Sequence, residues 1–90
     1  MAHLSKQNDA LLARVRRIAG QVGAIERALT TADCTTTLHL VAGVRGAISG
    51  LMDEIIQEHV REHVAHPGLS DADRQAGADE LIKAIRRYSK

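Results

Sequence analysis

The chain contains no phenylalanine and no tryptophan, and it has one tyrosine, one cysteine and one proline among its 90 residues. Each scarcity excludes something. A single cysteine rules out an intrachain disulfide, and MAHLSKQND at the start lacks the apolar stretch of a secretory leader, so a reduced thiol in the cytoplasm is expected. No apolar run approaches the roughly 20 residues that cross a bilayer, so no membrane partner is expected. There is no glycine-rich phosphate loop, no nucleophile elbow and no HExxH motif, which argues against an enzyme. With Tyr88 as the only aromatic, no platform exists for stacking single-stranded bases. The apolar residues are Leu, Ile, Val and Ala, which suit helix seams rather than a thick core, and one proline with few strand-favouring clusters points to an all-α chain. A chain this short makes one domain, spanning 1–90, with a thin core that other copies must complete. A homo-oligomer is expected.

The net charge of +1 decides little, but its distribution is uneven. Lys6, Arg14, Arg16, Arg17 and Arg27 outnumber Asp9 and Glu26 over residues 1–30. The stretch 52–80 is acidic, and Lys83, Arg86, Arg87 and Lys90 close the chain.

Periodicity predicts three helices. Leu11, Val15, Ile18, Val22, Ile25 and Leu29 alternate in steps of four and three, a heptad seam. Gly20 and Gly23 lie inside it at about 1 kcal/mol each against alanine, which suggests a close backbone approach. Thr30–Thr36 is rich in short residues that compete with helical hydrogen bonds, so the turn is placed there. Thr37, Val41, Val44, Ile48, Leu51 and Ile55 form a second seam, in a helix that runs to about Val64 and stops at Ala65-His66-Pro67-Gly68. A third helix opens at a Ser70 cap and carries Ala78, Leu81, Ile85 and Tyr88 as one stripe. Two long helices and a short third leave an incomplete bundle. Two such hairpins, paired antiparallel, make a four-helix bundle.

His59 and His63 are four residues apart and project from one face of the second helix. Alone, such a pair fits core histidines as well as ligands. Cys34 adds a thiolate, and thiolate with imidazole suits Ni, Co, Cu or Zn. Cys34 lies 25 residues before His59, about 37 Å along a continuous helix. Antiparallel packing of two second helices would instead bring Cys34 of one copy to His59 and His63 of the other, giving equivalent sites between subunits. His3, on the N-terminal arm, is a further candidate. Four or more such ligands suit six-coordinate Ni or Co, and fewer suit tetrahedral Zn. His39 and His66 are left out of the site.

Arg14, Arg17 and Gln21 share a helix face opposite the seam, with Arg16 at its flank. That pattern fits an ordinary solvated face and equally an array of phosphate contacts to duplex DNA. There is no helix-turn-helix signature.

Arg14-Val-Arg-Arg-Ile-Ala-Gly-Gln-Val22, Cys34 at the start of the second helix, Val44-Arg-Gly-Ala47, Gly50-Leu-Met52 and His59-Val-Arg-Glu-His63 together resemble the CsoR/RcnR family of bacterial repressors, in register over nearly the whole chain. The resemblance implies an all-helical dimer of dimers that binds double-stranded operator DNA and releases it when an effector binds between subunits. It implies Arg14 and Arg17 as DNA contacts, with Arg16 and Arg45 beside them. Copper-sensing members carry a second cysteine where His63 stands here, so the resemblance disfavours Cu(I). Nickel–cobalt members carry His, Cys, His and His, matching His3, Cys34, His59 and His63. Formaldehyde-sensing members are similar across the first helix but carry Pro after the initiator Met and Glu at the fourth position, where this chain has Ala2 and His63. Thr37, His39, Leu40 and Ser49 depart from the usual residues of the family, in the stretch that would couple effector to DNA. The expected function is a repressor released by Ni or Co, with Zn possible. The alternatives are a formaldehyde-responsive repressor using Cys34 as its reactive thiol, and a metal-binding bundle that does not touch DNA.

Overall fold

The computed structural model describes residues 8–88. They form three α-helices, α1 (Asn8–Thr31), α2 (Cys34–His63) and α3 (Asp71–Tyr88), with no strand among the described residues. The all-α, three-helix protomer expected from periodicity is therefore what forms. No helix among the described residues is long and apolar enough to cross a membrane. The chain divides inside α2 into two compact units, one ending at Met52 and the other starting at Asp53.

In the first unit, α1 and the first half of α2 form a hairpin whose turn is far tighter than the threonine-rich stretch suggested. Only Ala32 and Asp33 lie outside the helices. The threonines do not break them, because their hydroxyls bond back into the backbone. Thr30 and Thr31 each donate to the Arg27 carbonyl, at 3.0 and 2.9 Å, and the Thr37 hydroxyl donates to the Asp33 carbonyl at 3.0 Å. Asp33 starts α2 as its cap, its carboxylate accepting the Thr36 N–H at 2.8 Å. That backbone bond, with a side-chain bond to Thr36, holds the Asp33 carboxyl below its ordinary 3.8.

The heptad seam of α1 is split between two jobs. Leu11 is buried and Ile18 and Ile25 half-buried, each seven residues from the next, whereas Val15, Val22 and Leu29 are exposed. The row that accompanies Leu11 inward is Arg14, Gln21 and Ala28, with Ala28 buried and the other two half-buried. Arg14 and Gln21 thus lie on the inward side of α1, and the expectation of a polar face opposite the seam is corrected for them. In α2, Val44 is buried and Thr37, Leu40, Ala47 and Leu51 half-buried, while Val41 and Ile48 are exposed. Among the described residues, a second apolar row on each helix is thus left largely exposed. Gly20 serves no close approach among the described residues, since a methyl there would meet none of them within 4 Å. At Gly23 it would meet only the tip of Arg27, at 3.4 Å.

In the second unit, the end of α2 is closed by Arg74, whose guanidinium donates to the Val64 carbonyl and, at 3.4 Å, to that of Leu69. Ser70 caps α3 as expected, its hydroxyl accepting the Asp73 N–H at 3.1 Å. His66 is occupied in the loop, where its Nδ1 accepts the Gly68 N–H at 3.0 Å. Gly77 is buried, and a methyl group there would overlap the His63 carbonyl. The missing side chain lets α3 cross against the last turn of α2. Ala78 and Leu81 on the α3 stripe are half-buried, whereas Ile82, Ile85 and Tyr88 are exposed.

Candidate metal centre and nucleic-acid face

His59 and His63 are both half-buried on one side of α2. Their ring centroids are 5.0 Å apart with the planes tilted by 45°. His59 Nε2 lies 2.8 Å from the Gly77 carbonyl oxygen. A carbonyl only accepts, so Nε2 carries the hydrogen and Nδ1 keeps its lone pair for another partner. A ring so tied to the backbone is held at a fixed tilt, the arrangement usual for imidazoles that bind metals. With metal–nitrogen bonds of about 2.0–2.1 Å, two imidazoles on one ion place their centroids roughly 4.5–5.2 Å apart. The observed spacing falls inside that range.

Two imidazoles do not make a complete site. Among the described residues, no three His, Cys, Asp or Glu side chains converge well enough to hold an ion. Cys34 is the first residue of α2 and its thiol is free and exposed; His63 is the last residue of the same helix. His3 lies outside the described residues. His39 is exposed on α2. Glu58, the residue immediately before His59, is buried at 5 % exposure and accepts from Arg61 at 3.3 Å, so its carboxylate is already engaged.

The arginines divide. Arg16, Arg17 and Arg45 are exposed and Arg14 is half-buried. The Arg14 guanidinium reaches α2 at Gly50, where a methyl group would sit 2.8 Å from its Nη1. Residue patterning missed the parts played by Gly50, Gly77 and Arg74. The signal was available for the two glycines, because a mid-helix glycine costs about 1 kcal/mol against alanine and calls for a steric reason. It could not say which of seven glycines had one.

Residues 7–87 match the family model described as metal-sensitive transcriptional repressor. The chain is 42 % identical over the full length of both to a protein encoded in the bioA 5′ region of Serratia marcescens. It is 36 % identical, again over the full length of both, to the transcriptional repressor RcnR of Salmonella arizonae. Among solved structures it is similar to a glutamate-to-histidine variant of the formaldehyde-responsive regulator FrmR from Salmonella enterica serovar Typhimurium. The TM-score is 0.87 at 36 % identity, over 97 % of this chain and 99 % of that one.

Proposed function

The chain belongs to the metal-sensitive transcriptional repressor family, and from that premise we propose that it is a cytoplasmic repressor released from its operator by Ni(II) or Co(II) bound between subunits. The family is one of repressors, not enzymes. The observation that carries the choice of effector is the histidine pair, 5.0 Å apart, with His59 anchored through Nε2 and its Nδ1 available. Cys34 of one subunit, with His59 and His63 of its neighbour and His3 from the N-terminal arm, would hold the ion. One thiolate among imidazoles suits Ni, Co or Zn and disfavours Cu(I), which prefers softer sulfur-rich sets.

The oligomer that such a site requires is supported by the uncovered rows. Val15, Val22 and Leu29 on α1, with Val41 and Ile48 on α2, are 45–71 % exposed in the single chain. Covering them is worth about 25 cal/mol per Å² of apolar surface. Pairing two hairpins antiparallel covers both rows as a four-helix bundle and sets Cys34 of one copy beside the histidines of the other. We take the assembly to be a dimer of dimers, each chain a single sensing and DNA-binding domain. Arg17, Arg16 and Arg45, exposed, together with Arg14 contact operator phosphates. Effector and DNA then oppose each other, and reciprocity requires each to weaken the other by the same factor.

A second reading rests on the similarity to FrmR and on the exposed Cys34 thiol. There, Cys34 and the terminal amine condense with formaldehyde, losing water and forming an S–CH2–N bridge. The two readings separate on substitution. Cys34→Ala abolishes either response, whereas His63→Ala cripples a nickel response and spares an aldehyde response. A full nickel response in His63→Ala would remove His63 from the ligand set.

A further inference from the structure

Gly50 stands in the middle of α2, half-buried, with an ordinary helical backbone. No positive φ requires glycine there, and a mid-helix glycine weakens a helix relative to alanine. Outside the helix's own backbone, the one described residue an added methyl would meet is Arg14, at 2.8 Å from Nη1 and 3.9 Å from Cζ. Among the described residues, the steric reason for a glycine at this position is therefore the guanidinium lying across it. Arg14 is also set apart from Arg16 and Arg17, which are exposed.

We infer that Gly50 is a positioning residue for operator binding: its bare backbone is the seat on which the Arg14 guanidinium is held. An arginine side chain has much rotamer freedom to lose when it binds, and a planar guanidinium fixed in advance loses less. The seat fixes the fork before DNA arrives, and it ties the direction of that fork to α2, the helix that carries Cys34, His59 and His63. The inference rests on the reading of Arg14 as a DNA contact. A methyl at Gly50 displaces the tip of a flexible side chain and touches nothing rigid, so it perturbs Arg14 without perturbing the fold.

The test is a double-mutant cycle on the full-length, effector-free protein, measuring operator affinity against salt for wild type, Gly50→Ala, Arg14→Ala and the double variant. Gly50→Ala is expected to weaken operator binding about five- to tenfold in the wild-type background and less than about twofold when Arg14 is already alanine. Its melting temperature should hold or rise, because alanine is the better helix former. Equal losses in both backgrounds, unchanged or tighter DNA binding by Gly50→Ala, or a fall in melting temperature would overturn the seat. If Arg14→Ala itself leaves affinity and salt dependence unchanged, Arg14 does not contact DNA, and the inference falls with that reading. The four affinities distinguish the two failures.

Discussion

His59 donates from Nε2 to the carbonyl of Gly77, 2.8 Å away and eighteen residues further along the chain. The bond exists because Gly77 has no side chain. Its Cα faces the last carbonyl of α2, that of His63, at a distance no methyl could share. One glycine thus does two things: it admits α3 to the end of α2, and it offers the acceptor that fixes the tautomer and tilt of His59.

Gly77→Ala is accordingly expected to destabilise the protein. The added methyl collides with a backbone carbonyl, which cannot swing aside as a side chain would. Overpacking of this kind costs typically 1–3 kcal/mol, so after a gain of about 1 kcal/mol in helix propensity a net loss of up to about 2 kcal/mol is expected. Urea denaturation at fixed protein concentration measures it, since the stability of an oligomer depends on concentration. Metal affinity should fall too, as His59 loses the partner that orients it.

Asp33, which caps α2 immediately before Cys34, gives a pH signature. Its carboxyl is held below 3.8 in the folded chain, chiefly by the Thr36 backbone N–H. A depressed folded pKa means that the carboxylate's contribution to stability is present above 3.8 and is lost as the pH falls through the lowered value. Asn also caps helices but does not titrate in this range. The difference in melting temperature between wild type and Asp33→Asn should therefore be constant at neutral pH and change only below the ordinary aspartate value. A difference that is flat throughout would show that the cap carries no charge-dependent stability.

Val22 and Leu29 are 50 % and 71 % exposed in the protomer. On a true surface Val22→Glu would cost well under 1 kcal/mol. Buried against another subunit, the same carboxylate would be unpaired, and Val22→Glu should dissociate the assembly in sedimentation equilibrium and abolish operator binding with it. An intact oligomer carrying Glu at this position would move the interface elsewhere.

Much of this was legible from residue order. The three helices, the stop at His66-Pro67-Gly68, the Ser70 cap and the pairing of His59 with His63 all follow from local rules. What was not legible depends on a neighbour. Periodicity marks Leu11, Val15, Ile18 and Val22 as one seam, but only packing decides which row turns to the protomer's own α2 and which is left for another copy. The same choice brings Arg14 and Gln21 inward, although their polarity assigned them to solvent. The turn falls inside the threonine-rich stretch but is shorter than it, because the hydroxyls of Thr30, Thr31 and Thr37 bond to the Arg27 and Asp33 carbonyls and leave both helices intact. Among the glycines, Gly20 faces open space and Gly50 and Gly77 do not, a distinction that no spacing rule contains.

Release of the operator by a metal held through Cys34 is tested by anaerobic titration of the reduced protein with Co(II), reading absorption and operator binding on the same samples, with Cys34→Ala alongside. A thiolate-to-cobalt charge-transfer band is expected to grow to saturation, to be missing in Cys34→Ala, and to rise in step with release of the operator; Ni(II) should release it likewise. Tight operator binding that ignores both metals and collapses on adding formaldehyde would instead make the protein an aldehyde sensor and not a nickel–cobalt sensor.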